Sequence, residues 1–180
     1  MSSFPDAPAL TVDRARPDDF ARPDDFARLD DFARVAQLTS DVYVGGGLAS
    51  PEYGEQLRDV AARADRAELL VARDDDGRVV GGVALVLAGD FGEVTESDEE
   101  AAFRMLVVDP AVQRRGIGEL LVSTCLHRAR AAGKRRMVLS TDRRMTTAQR
   151  LHQRLGFTGL PERDWRPTPC IDLPGYAREL

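Results

Sequence analysis

The stretch VVDPAVQRRGIGELLV, residues 107–122, joins a run of strand formers to a helix through a turn that holds Gln113, two arginines and Gly-Ile-Gly. Asp109-Pro110 stops the strand, because proline offers no N–H and restrains the residue before it. Apolar residues at 117, 120, 121 and 122 then take up helical spacing. A helix that begins here leaves its first amides without intrahelical partners and carries about half a positive charge at that end. Glycines at 116 and 118 let backbone come close to a ligand with no Cβ in the way. With Arg114 and Arg115 alongside, the turn reads as a seat for a diphosphate. A lone Gly-x-Gly is weak evidence, and the order strand, Asp-Pro break, helix makes it stronger. No Gly-Lys-Ser/Thr follows the glycines, which disfavours a P-loop.

The flanking sequence supplies the rest of the fold. EAAFRMLVVD (100–109) is apolar on both faces, which predicts a central strand covered on both sides. The helix from Ile117 to about Ala132 has a polar stripe of Glu119, Ser123, His127 and Arg130, opposite a core face of Leu121, Val122, Cys125, Leu126 and Ala129. RMVLST (136–141) is the next strand, and Thr146 or Thr147 is expected to cap a helix that Gly156 ends. FTGLPERDW and CIDLPGYAREL read as two final strands weakened by Pro161 and Pro174. Upstream lie a short strand at 10–14, a first helix from near Pro23 to about Tyr43, and a glycine hinge at 44–48. A second helix runs from Pro51 to about Ala64, and strands at 67–73 and 78–88 flank the turn DDDG. This order predicts one α/β domain over residues 1–180, with helices on both faces of a mixed sheet.

Composition narrows the function classes. A chain of 180 residues with 43% hydrophobic and 31% charged residues is an ordinary globular domain. A net charge of −5 argues against a nucleic-acid footprint, and GKRRM (133–137) is read as a solvated turn. No apolar run reaches membrane-spanning length, and the first residues lack a secretion signal. Cys125 and Cys170 make neither a disulfide framework nor a metal cluster, so no metal is expected and a reducing cytoplasm fits. Residues 15–32 read ARPDDF, ARPDDF, ARLDDF. Six residues advance a helix by about 600°, so the three phenylalanines cannot form one apolar stripe. The repeat is read as a neutral tandem duplication at the edge of the first helix, since surface insertions cost little.

RMLVVDPAVQRRGIGELLV and TTAQRLHQRLGF (146–157) resemble the two signature motifs of the Gcn5-related N-acetyltransferases, and the element order agrees along nearly the whole chain. The resemblance implies a GNAT-like, mostly antiparallel sheet of six to seven strands, and acetyl-coenzyme A as cosubstrate. Backbone amides of Arg114, Arg115, Gly116, Ile117, Gly118 and Glu119, with Gln113 before them, would hold the diphosphate. Main chain of Leu106, Val107 and Val108 would meet the pantetheine arm where two central strands part. The family often has a tyrosine acid near the end of the last helix, and His152 stands there. Its alternatives are a packed histidine and an acid, since a histidine of ordinary pKa is roughly a quarter protonated at pH 7. Many relatives carry a glutamate base where Ala102 stands, which leaves Glu100 as the nearest carboxylate on that strand face, or a solvated residue at the strand entry. Met145 replaces an asparagine often seen before the tyrosine. The acidic residues of 89–98 would attract a cationic amine if they bordered the acceptor mouth.

The sequence therefore predicts acetyl transfer to a primary amine of a small molecule or peptide by direct attack. The alternatives are a non-catalytic acetyl-coenzyme A sensing module and, third, an O-acetyltransferase. Homodimerisation through the last strands is possible on this reading.

Overall fold

The computed structural model describes residues 10–15, 31–89 and 95–180. Most of the hexapeptide repeat, the start of the first helix, and Asp90 and Glu93 lie outside the described residues. Strands β1 (Thr11–Arg14), β2 (Glu68–Arg73), β3 (Val79–Val86), β4 (Glu100–Val108) and β5 (Arg136–Ser140) belong to one seven-stranded sheet. It is completed by β6 (Thr158–Gly159) and β9 (Gly175–Glu179), in the order β1-β2-β3-β4-β5-β9-β6. Every pairing is antiparallel except β4 with β5. That exception follows from connectivity: α4 (Ile117–Ala131) intervenes between these two strands, and a parallel pair needs such a crossover.

The helices cover both faces because the strands alternate. Leu70 and Ala72 of β2 join the α4 side with Val83, Leu85, Leu121, Val122, Cys125 and Ala129. Leu69 and Val71 join the opposite side with Val35 and Leu38 of α1 (Asp31–Tyr43). The polar stripe predicted for α4 is solvent-facing, at Glu119, Ser123, His127 and Arg130. Leu121 is fully buried, and a core leucine of this kind contributes about 2–5 kcal/mol against alanine.

Three elements differ from the sequence expectation. The second helix is two: α2 (Pro51–Arg58) and α3 (Val60–Ala64). Asp59 breaks the ladder at φ −76°, ψ 74°, and its carboxylate accepts from Ala62 N to start α3. Helix α5 (Thr146–Arg154) begins without a side-chain cap, with Met145 at the position before it. The two final strands become four. Pro161 opens a 3-10 turn after β6, and β7 (Trp165–Thr168) pairs only with β8 (Ile171–Leu173), as a separate ribbon. Pro174 divides β8 from β9 because it cannot donate to a ladder.

One residue in β4 bends the centre of the sheet. Gly82 faces Val107 and Ala84 faces Arg104, so Val83 stands opposite both Met105 and Leu106. Met105 takes up the extra residue at φ +54°, a conformation few side chains adopt. Phe103 lies in the α4-side cluster and Leu106 and Val108 pack against it, while Val107 lies on the α1 side. Without the bulge these assignments would be reversed beyond Arg104.

Candidate active site

The bulge lies where β4 leaves β5. The two pair at Glu100–Arg136, Ala101–Met137 and Ala102–Val138. Beyond that point β5 pairs with β9, at Leu139–Tyr176 and Ser140–Gly175, while β4 follows β3 through Gly82–Val107 and Gly81–Val108. Among the described residues no pairing of β4 with β5 continues past the bridge at Ala102–Val138. Of the residues expected to meet an extended ligand, Leu106 and Val108 turn their main chain to the edge away from β3, whereas Val107, opposite Gly82, turns its main chain to β3.

Strand β4 leads to the turn that begins α4. Asp109 Oδ1 accepts from Ala111 N at 2.9 Å and caps a 3-10 turn over Pro110–Val112. The chain then passes through two left-handed residues, Arg114 at φ +66° and Gly116 at φ +81°. Gly116 is the N-cap of α4, with no side-chain cap. Among the described residues, the first amide of this segment to donate to a backbone carbonyl is that of Leu120, to Gly116 O at 2.9 Å. The amides at the start of α4 thus have no intrahelical acceptor, in an elbow flanked by the exposed Arg114 and Arg115. The glycines differ in purpose. A Cβ on Gly116 would meet nothing within 4 Å, whereas one on Gly118 would stand 3.2 Å from Leu151 Cδ2. Gly118 thus serves the packing of α4 on α5, and only Gly116 borders open space.

His152 lies on the α4 side and is only 3% exposed. Its ring stands 5.7 Å from Phe103, 5.9 Å from Phe157 and 6.1 Å from Tyr176, centroid to centroid. Neither ring nitrogen has a hydrogen-bond partner among the described residues. Burial alone pulls its pKa down to about 4. At pH 7 the ring is neutral, not the quarter-charged acid that an ordinary histidine would be. Glu100 is also buried, at 7%, which corrects the reading of a solvated strand entry. Its carboxylate accepts from Glu96 N at 2.9 Å and from Arg163 Nη2 at 3.1 Å, and Arg136 Nη1 lies 3.8 Å away.

A cavity of about 200 Å³ opens beside the fork, lined by Glu96, Val138, Leu139, Ser140, Leu160, Glu162, Arg163, Asp164, Trp165 and Tyr176. Val138 and Leu160 pack with Ala102 and Val86, which places the cavity on the face away from α4. The sequence offered no signal for Arg163, whose Nε also pairs with Glu96 at 2.8 Å and so ties the acidic loop to the cavity wall. On the α1 side, Tyr43 interacts electrostatically with Tyr53, Arg104, Arg63 and Asp142, and lost hydration pushes its hydroxyl up to about 12. Asp142, held below the usual carboxylate range first by its hydrogen bond from Arg144, belongs to a strap in which Arg144 also donates to Gly47 O at 2.9 Å. Burial raises the Cys125 thiol to about 12, which leaves it an inert core residue. Among the described residues no His, Cys, Asp and Glu group could hold a metal, and no helix is long and apolar enough to cross a membrane.

The sequence matches the model of the acetyltransferase (GNAT) family over residues 32–157. No protein of curated function matches it. Among solved structures, a GNAT-family acetyltransferase from Staphylococcus aureus superposes with a TM-score of 0.69 at 14% identity, covering 96% of this chain and 99% of its own. A Gcn5-related N-acetyltransferase from Kribbella flavida gives 0.64 at 23%, covering 98% and 100%. The Salmonella typhimurium protein yncA, solved with its cofactor acetyl-CoA, gives 0.62 at 21%, covering 96% and 94%.

Proposed function

Because this chain belongs to the acetyltransferase (GNAT) family, we propose that it moves an acetyl group from acetyl-coenzyme A to the nitrogen of a primary amine by direct attack. The observation that carries this reading is the parting of β4 from β5 beyond Ala102, on the strand that leads into the uncapped start of α4. The residues present fit acetyl-coenzyme A, the family's cosubstrate, which when bound supplies the thioester. Amides of Arg114 to Glu119, with Gln113 before them, offer the donors a diphosphate needs, and the left-handed Gly116 leaves the space before them open. Among the described residues, main chain of Leu106 and Val108 has no β5 partner and can pair with an extended amide-bearing arm. On this reading the Val108 N–H, on the edge away from β3, stabilises the developing oxyanion.

The amine reaches the fork through the 200 Å³ cavity, whose size suits a small amine or the end of a side chain. Glu96, Glu162 and Asp164 on its wall favour a cationic approach. Only about one amine in a thousand is neutral at pH 7 when its pKa is near 10, so a proton must leave before attack. Glu100 is the buried carboxylate on β4 closest to the fork and takes that proton through water. The departing thiolate takes its proton from water at the fork, because His152 is uncharged at neutral pH and its ring nitrogens are sealed among Phe103, Phe157 and Tyr176.

A thiol-release assay with acetyl-coenzyme A and a library of primary amines tests the proposal. Turnover with at least one amine, falling at least tenfold in Glu100→Gln, is the expected result. Tight binding of acetyl-coenzyme A with no turnover on any amine would favour the sensing module instead. That reading draws on the uncharged His152 and the ion-paired Glu100.

A further inference from the structure

We infer that Arg34, on the first helix, is the positioning residue that sets the diphosphate-binding elbow, acting through Asp109. Its Nη2 donates to Asp109 Oδ2 at 2.5 Å and its Nε to Val79 O at 3.2 Å. One guanidinium thereby ties α1 to the start of β3 and to the last residue before the elbow. Asp109 is held from three directions. Its amide donates to Val80 O at 2.8 Å, Oδ1 accepts from Ala111 N at 2.9 Å, and Oδ2 takes the arginine. The planar fork of arginine can make two such contacts at fixed angles, which an ammonium cannot.

The consequence for the elbow is both geometric and electrostatic. The direction in which the 3-10 turn leaves β4 is set at Asp109, and the left-handed residues Arg114 and Gly116 follow within the same loop. A tilt at Asp109 moves every amide of the seat together. Asp109 is also a carboxylate placed just ahead of a site for an anion. Its side chain is about one-fifth exposed, so water screens it incompletely, and Arg34 cancels the charge that would oppose a diphosphate. Neither residue belongs to the Gly-rich turn, and they stand 75 positions apart in the sequence.

This inference rests on the acetyl-coenzyme A reading, and its test separates the two. Binding of coenzyme A is measured by calorimetry, and exchange is measured on the unliganded protein at the hydrogen-bonded amides that open the elbow, Asp109, Ala111 and Val112, which donate to Val80 O, Asp109 Oδ1 and Asp109 O. Arg34→Met should bind coenzyme A ten- to thirtyfold more weakly, and its elbow amides should exchange at least fivefold faster while those of β2 and α5 keep their rates. Arg34→Lys keeps the charge but not the fork, so it should bind coenzyme A more tightly than Arg34→Met while its elbow amides still exchange faster than those of the wild type. Asp109→Asn should speed elbow exchange yet lose less affinity, since no bare carboxylate remains, and adding it to Arg34→Met should restore affinity at least threefold. Should Arg34→Met not fold, Asp109→Asn and Arg34→Lys decide by the same two readouts. Unchanged elbow exchange, or a loss spread equally over β2 and α5, would overturn the positioning role. Failure of the wild type to bind coenzyme A would sink the proposed function, whereas elbow exchange would still judge Arg34.

Discussion

Gly116 offers the sharpest test of the elbow, because two penalties of substitution can be separated there. It sits at φ +81°, ψ 0°, and a Cβ would meet no protein atom within 4 Å. Gly116→Ala therefore causes no clash within the protein. It pays for a left-handed L residue, about 1–2 kcal/mol, which appears in urea unfolding. If the open space receives a diphosphate, the methyl group also stands in the ligand's place. Asparagine tolerates the left-handed region better than alanine, so Gly116→Asn should lose less than about 1 kcal/mol of stability. Its longer side chain nevertheless intrudes further. Both variants should bind coenzyme A more than tenfold weaker by calorimetry, a loss above about 1.4 kcal/mol, with asparagine the more stable fold and the poorer binder. Affinity that stayed at the wild-type level would refute the elbow as an anion seat. So would an affinity loss ranked like the stability loss, with alanine worse than asparagine, because the glycine would then matter only to the turn.

Acid should single out His152. Its folded pKa of about 4 lies below the unfolded value near 6.5, so the group gives no pH dependence above pH 6.5, where both states are neutral. Between about pH 6.5 and 4 the unfolded chain takes the proton first, and about 3 kcal/mol of stability is lost. His152→Phe should not suffer this loss; equal urea-midpoint shifts for the two proteins between pH 7 and 4.5 would contradict the assignment. At Gly81 a Cβ would stand 3.0 Å from Ile117 Cγ2 and Val107 O, and 3.1 Å from Leu121 Cδ1. Gly81→Ala should cost about 1–3 kcal/mol by pushing the first turn of α4 off the sheet. It should also weaken coenzyme A binding, and a variant as stable as wild type in urea would show that the contact relaxes freely.

The parts of this protein that were legible in its sequence are those whose physics is local. The core face of α4 could be read because Leu121, Val122, Cys125, Leu126 and Ala129 recur at helical spacing, and each is buried. The elbow could be read because proline, glycine and a following helix restrict their own backbone. Misreadings fall where a distant partner decides. The break at Asp59 needs one side chain to prefer Ala62 N over continued helix, and helix spacing alone runs straight through it. Glu100 looked solvated because its neighbours Glu99 and Asp98 are polar and exposed. Its actual surroundings, Arg136 and Arg163, come from 36 and 63 residues away.

The same distinction divides the two halves of the site. On the proposed reading a diphosphate and a pantetheine arm are met largely by main chain, so what the sequence must encode is backbone conformation, and single residues announce that. The cavity proposed for the acceptor is lined by Glu96, Val138 to Ser140, Leu160, Glu162 to Trp165 and Tyr176, which the sheet order brings together. Each of those segments alone resembles an ordinary strand or loop. Even the bulge at Met105, on the part of β4 past its pairing with β5, exists only as a mismatch of count with β3. On that reading cofactor recognition is written within one loop, while acceptor recognition is written in the pairing of strands. Substitutions in residues 106–119 should consequently alter the affinity for coenzyme A whatever amine is used. Substitutions at Arg163 or Trp165 should change the ranking of amines while coenzyme A affinity holds, and a library assay in which Trp165→Ala lowered all amines by one common factor would contradict that division.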